Sequence, residues 1–230
     1  MEIVRLYGRK KGRLKPQELS WLQERLPFYQ NKIIPTQTRQ ELWKLLGGTS
    51  TTGRLILEIG SGNGQYLIWQ AMQHPQDRFI GVDPFLEGVA GLIRKVEANN
   101  LNNVAVLTDA AQLVLAERIP PSSLDQVIIH FPDPWPKKRH QKRRLIQKDF
   151  LDLLASRMSP AGHLQLATDW AEYAQWMLDL LQAHEAFTNL APLGQFAEQP
   201  KDWIPTRFQE KGLAAGRPTF YLAFCRVNPL

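Results

Sequence analysis

The chain has 230 residues, 43% hydrophobic and 22% charged, the composition of a folded globular protein long enough to bury one sizeable core. Its one cysteine, Cys225, excludes an intrachain disulfide and a cysteine-based metal site and suits a reducing, cytoplasmic setting, while the opening MEIVRLYGRKKGR has no apolar signal core and no run approaches membrane-spanning length. The net charge of +6 is uneven: residues 137–148 hold seven cations and no acid, residues 1–15 hold six against Glu2, and everything else is net −6.

In chain order, the basic N-terminus leads into two short helices, 16–26 and 36–46, and a loop, GGTSTTG (47–53). An alternation then begins. RLILEIG (54–60) predicts a buried strand, QYLIWQAMQH (65–74) a helix, RFIGVD (78–83) a strand and FLEGVAGLIRKVEANN (85–100) an amphipathic helix. NVAVLTD (103–109) predicts a strand, AAQLVLAERI (110–119) a helix, and SLDQVIIHF (123–131) a strand running into FPDPWP. RRLIQKDFLDLLASRM (143–158) predicts a helix, HLQLATD (163–169) a strand and WAEYAQWMLDLLQAH (170–184) a helix. A long proline-containing stretch without another helix then leads to TFYLAFCR (219–226), expected to join the sheet antiparallel beside a strand around AFTNLAPL (186–193). Repeated strand–helix–strand units mean an α/β protein, a parallel sheet covered on both faces. There is no internal repeat, so the expectation is a basic N-terminal segment (1–30) that need not be ordered, then one domain, 31–230.

In such sheets ligands sit at the carboxyl ends of the strands. The first strand ends in LEIGSGNGQ, with Gly60, Gly62 and Gly64 two residues apart. A dinucleotide fingerprint needs its third glycine at 65, where Gln65 stands, so a nicotinamide enzyme fails on spacing. The pattern E-x-G-x-G-x-G, opened by Glu58, resembles motif I of the class I S-adenosylmethionine-dependent methyltransferases. Glycines let backbone pass close under a bulky ligand, and a nearby carboxylate balances a cationic sulfonium and ammonium. Asp83 ends the second strand, where a carboxylate accepts from ribose hydroxyls, and Asp109 follows the third, beside an adenine edge. Either alone is equally a helix cap; three acids at successive strand ends are harder to explain so.

The fourth strand delivers FPDPWPKKRHQKRR (131–144) to the same crevice. Pro132 and Pro134 stiffen the loop around Asp133; Trp135 is a pocket wall, a base-stacking platform or a buried core ring. The whole string resembles the signature of the tRNA (guanine-N7-)-methyltransferases, the TrmB family, and LEIGSGNG, GVD, TDA, ATD (167–169) and TRFQEKG (206–212) occur in that family's order. The resemblance implies a Rossmann-like class I fold with a mostly parallel seven-stranded sheet, S-adenosylmethionine as cofactor and tRNA as partner, with no obligate protein partner evident. It implies that Glu58, Gly60, Gly62, Gly64, Asp83, Asp109 and Asp133 hold the cofactor, with Asp133 as catalytic acid. Lys137, Asp169, Thr206, Arg207, Phe208 and Gln209 then address the guanosine, and Arg139, His140, Lys142, Arg143 and Arg144 grip RNA phosphates.

The chain departs from the family twice: the second-strand acid is Asp83 rather than Glu, and Gln209 stands where the family has Glu, leaving Glu210 as a substitute only by a register shift. The expected reaction forms 7-methylguanosine, through the likeness in the variable loop. Guanine N7 is an unprotonated lone pair, so no general base is needed, and alignment accounts for about 7–11 kcal/mol. Two rivals are a methyltransferase for a small molecule or protein, which leaves the basic segments unemployed, and a silent RNA-binding subunit, which has no need of the glycines and acids. The five histidines lack ligand spacing, so no metal site is expected.

Overall fold

The computed structural model describes residues 14–49 and 52–227. Seven strands, β1 (Leu55–Ile59), β2 (Arg78–Val82), β3 (Val104–Leu107), β4 (Leu124–His130), β5 (Met158–Thr168), β6 (Phe187–Asn189) and β7 (Phe220–Arg226), form one sheet in the order β3-β2-β1-β4-β5-β7-β6. The first five run parallel, and β7 is antiparallel to both of its neighbours. From β1 the chain steps outward to β2 and β3, then returns to lay β4 on the other side of β1. That reversal opens a crevice at the carboxyl ends of β1 and β4.

Helices α1 (Pro16–Gln30), α2 (Arg39–Leu45), α3 (Gln65–Gln73), α4 (Leu86–Ala98), α5 (Ala111–Arg118), α6 (Lys148–Arg157), α7 (Ala171–Gln182) and α8 (Arg207–Ala214) accompany the sheet, with a 3-10 helix at Lys138–Arg143. The strands are apolar on both faces because both are covered. Along β1, Leu55, Leu57 and Ile59 enter one core with α5, α6 and α7, while Ile56 enters another with α3 and α4. Glu58 shares the alternation of Ile56, so a carboxylate is carried into the second core.

Three details differ from the sequence reading. First, α8 lies in the stretch expected to have no helix: the Thr206 hydroxyl caps it by accepting from the Gln209 N–H (3.2 Å), the T-x-x-Q form of a helix start. Second, the helix expected over 143–158 begins only at Lys148. Residues before it are held out of helical form by side chains of α7, since Ile146 N–H donates to Tyr173 Oη (3.3 Å) and Trp176 Nε1 donates to the Ile146 carbonyl (3.0 Å). Third, β5 starts at Met158 rather than 163.

Within the first thirty residues, α1 starts with Pro16 at its first position and buries Leu22 and Tyr29 in the second core. Its far end reaches the tip of β3, where Gln30 Nε2 donates to Thr108 Oγ1 (2.8 Å). The basic residues Arg5, Arg9, Lys10, Lys11 and Arg13 lie outside the described residues.

Candidate active site

The turn after β1 holds Gly60, Gly62 and Gly64 at φ of 77°, 51° and 72°, the left-handed region that side chains resist. The three have different jobs. A Cβ on Gly60 or Gly62 would meet nothing within 4 Å, so those positions border open space; one on Gly64 would strike the Leu92 side chain of α4. Helix α4 in turn comes close enough that a Cβ on Gly88 would fall 2.9 Å from the Gly62 backbone. Asp83, 6% exposed, ties the turn to α4: one carboxylate oxygen accepts from Gly62 N–H and the other from Phe85 N–H, each at 2.8 Å. Burial raises its proton affinity, and those two hydrogen bonds pull the other way.

Glu58 lies beneath the turn, 5% exposed, and its Oε2 has no hydrogen-bond partner among the described residues. Burial, and then the neighbouring Asp83, push its carboxyl up to about 8, partly opposed by the Leu67 N–H in the first turn of α3. An orphaned acid in a dry core is costly unless a ligand completes it. A cationic ligand above the turn does so, and the donor set fits S-adenosylmethionine: open glycine backbone, Glu58 toward the positive end and Asp83 at the next tip. Asp109, at the tip of β3, is half-exposed and pairs with Arg118 (3.5 Å), which also donates to the Ile33 carbonyl (2.9 Å).

The Asp133 loop leaves β4 between two non-glycine residues with positive φ, Phe131 (51°) and Trp135 (43°). Asp133 is exposed and lies close enough to Tyr173 for its charge to raise the phenol's proton affinity, a minor cause beside burial. Trp135 is neither a core ring nor a free platform. Its indole meets the His140 ring edge-on (5.8 Å) and carries the Arg143 guanidinium over its face (5.1 Å), bracing the 3-10 helix. That helix displays Lys138, Arg139 and Lys142 to solvent, with Lys137 exposed just before it.

Arg144 does not join them. Its side chain is 0% exposed, enclosed by protein partners where the neighbouring cations meet solvent. Its Nε donates to the Pro134 carbonyl (2.9 Å), its Nη2 donates to both oxygens of Glu172 (3.0 and 2.9 Å), and the guanidinium lies 4.9 Å from the Tyr173 and Trp176 ring centroids.

The residues expected to address guanosine separate in the same way. Asp169, beyond the tip of β5, is gripped by Arg217 through Nε and Nη2 (both 2.8 Å) and backed by Gly212 of α8. Phe208, half-exposed, stacks on Phe131 (6.5 Å, 20°) and so closes α8 against the Asp133 loop, and Arg207 is exposed. Gln209 turns inward, 5% exposed: its Oε1 accepts from Trp203 Nε1 (2.6 Å) and its Nε2 donates to Tyr221 Oη (2.8 Å), which donates to Gln199 Oε1 (2.9 Å). The amide oxygen and nitrogen are each engaged by protein rather than turned toward the crevice. Glu210 is exposed on the first turn of α8. Trp203 also meets His130 (4.6 Å) and Tyr66 (5.7 Å), so α8 is coupled to the last residue of β4. Burial pushes His130 down to about 3, leaving it neutral at working pH. Sequence reading missed Trp203, Tyr221, Glu172 and Arg217, whose polar contacts span 6 to 48 residues and leave no local pattern.

A family model described as "Putative methyltransferase" matches residues 52–222. A Magnetococcus marinus protein named tRNA (guanine-N(7)-)-methyltransferase is 48% identical over 212 residues, covering 92% of this chain and 83% of its own length. Proteins of the same name from Halorhodospira halophila and Alkalilimnicola ehrlichii are 39% and 38% identical, covering 98% and 96% of this chain and 96% and 92% of their own. Among solved structures, the aminoglycoside resistance methyltransferase NpmB1 matches with a TM-score of 0.52 at 20% identity over 84% of this chain and 95% of its own. A Streptococcus mutans protein in complex with SAH matches with a TM-score of 0.51 at 13% identity over 94% of this chain and 100% of its own. At these identities the two structures share the fold.

Proposed function

This chain belongs to the family of tRNA (guanine-N(7)-)-methyltransferases, and on that premise we propose how its residues move a methyl group from S-adenosylmethionine to N7 of a tRNA guanosine, placed in the variable loop. The observation that carries the reading is a juxtaposition. At the crevice between β1 and β4, an open glycine turn over the orphaned Glu58 oxygen lies beside the Asp133 loop, which continues into an exposed cationic helix.

S-adenosylmethionine, when bound, supplies a methyl group already made electrophilic by its sulfonium. Glu58 balances its positive end, Asp83 holds the ribose and Asp109 the adenine edge. Guanine N7 offers an exposed lone pair with no proton to remove, so the residues around it orient rather than abstract. Phe131 and Phe208 form a stacked apolar wall between the loop and α8, and Asp169 and Lys137 address the base. Positive charge passes to the purine during transfer. Asp133 stabilises it as a fixed carboxylate, and Asp169, whose charge is shared with Arg217, does so more weakly. Lys138, Arg139, Lys142 and Arg143 hold the phosphates beside the splayed base. The cytoplasm, where tRNA is processed, is the proposed place of work; no helix among the described residues is long and apolar enough to cross a membrane.

The test is methyl transfer from labelled cofactor to bulk tRNA, with nucleoside analysis of the product. Label in 7-methylguanosine is expected. Label in another nucleoside, or none in RNA, overturns the reading.

A further inference from the structure

The basic run divides between two neighbours. Arg143 stays at the surface side, over the face of Trp135 at 5.1 Å. Arg144 enters the body, its side chain 0% exposed. Its charge is matched there by Glu172, whose Oε1 also accepts from Gln141 Nε2 of the 3-10 helix (2.9 Å), and its planar group lies against Tyr173 and Trp176 of α7. One donor points elsewhere: Nε donates to the Pro134 carbonyl at 2.9 Å, the residue between Asp133 and Trp135. A buried guanidinium whose Nη2 donates to both oxygens of one carboxylate presents no free charge to a phosphate. Its Nε and Nη2, held in one rigid plane, tie the loop to α7, which is what a stiff strut needs.

The segment it holds requires holding. Between Phe131 and Trp135, both in left-handed backbone, the loop is anchored at its near end by Phe131 N–H donating to the Ala167 carbonyl (2.7 Å) and at its crest by Arg144. Such conformations persist only where surrounding structure over-determines them. We propose that Arg144 is a positioning residue: it sets the height and angle of Asp133 over the methyl acceptor and takes no part in gripping RNA. This rests on Asp133 acting on the guanosine, as read above.

The two jobs separate experimentally. Steady-state kinetics, the salt dependence of tRNA binding and thermal melts are compared for wild type, Arg144→Met and Arg143→Ala. For Arg144→Met, kcat should fall by about a hundredfold, the cost of misplacing a reacting group by about 1 Å. Its tRNA affinity should stay within about threefold and its salt slope unchanged, because no phosphate contact is lost. Arg143→Ala should reduce the salt slope by about one and weaken tRNA binding. A flattened salt slope in Arg144→Met with kcat preserved overturns the proposal. If Arg144→Met does not fold, Glu172→Gln serves, keeping the arginine and loosening its anchor. Loss of kcat at constant salt slope then supports the strut, and wild-type kcat overturns it. Wild-type protein that fails to methylate tRNA would sink the underlying reading instead, and this inference with it.

Discussion

Replacing Glu58 by Gln should stabilise the empty protein while weakening its hold on the cofactor, and the stabilisation should grow with pH. The carboxyl is raised from 4.5 to about 8 by burial and by Asp83. Unfolded, it loses its proton near 4.5; folded, it keeps it until about 8. Between those values the folded state binds more protons, so stability falls as pH rises and levels off above 8. At about 1.4 kcal/mol for each tenfold change in proton affinity, the full cost is about 5 kcal/mol. For a chain of this length, even 3–4 kcal/mol is roughly 10 °C in Tm. The Gln variant carries no such penalty, so its melting curve should match wild type near pH 4.5 and lie roughly 10 °C above it at pH 8. Calorimetry of S-adenosylmethionine binding in buffers of different ionisation enthalpy supplies the second arm. Wild type should release close to one proton per cofactor bound at pH 7, because a cationic ligand favours the ionised carboxylate; the variant should release far less and bind more weakly. A Tm difference that stays constant from pH 5 to pH 9 would refute the reasoning.

Asp133→Asn should leave cofactor affinity within about twofold and lower kcat by about a hundredfold, since a neutral amide cannot balance developing charge; calorimetric loss of cofactor binding as complete as the loss of turnover would exclude a specific role in the chemical step. In Gln209→Glu, an ionised carboxylate has no proton for Tyr221 Oη, whereas the protonated acid reproduces the one bond the amide donates and the one it accepts. Its tRNA KM should therefore be about tenfold above wild type at pH 8 and recover on acidification; a KM at or below wild type at pH 8 would show residue 209 touching the base directly. Gly64→Ala places a Cβ at φ 72° against Leu92 and should cost about 1–3 kcal/mol in denaturant melts, so an unchanged midpoint would count against that packing.

Local pattern carried the reading of this chain far. Runs such as LILEI announce strands buried on both faces, alternate glycines mark a turn that must run left-handed, and the strands and helices of residues 54–130 form where periodicity put them. Acids near the ends of successive parallel strands are legible from strand periodicity, which is why Glu58, Asp83, Asp109, Asp133 and Asp169 all lie toward the carboxyl ends of the sheet's parallel strands. Sequence could not say which way a side chain turns where the period is broken. Arg143 and Arg144 are adjacent and identical in type, yet one lies over a half-buried indole and the other in a box made by α7, whose residues are about thirty positions away. Phe208 and Gln209 are likewise adjacent, and only the docking of α8 on Trp203 and Tyr221 sends the amide inward. Charge and motif are properties of the chain. Whether a charge meets water, a ligand or a buried partner is a property of packing, because desolvation depends on neighbours that local sequence does not contain.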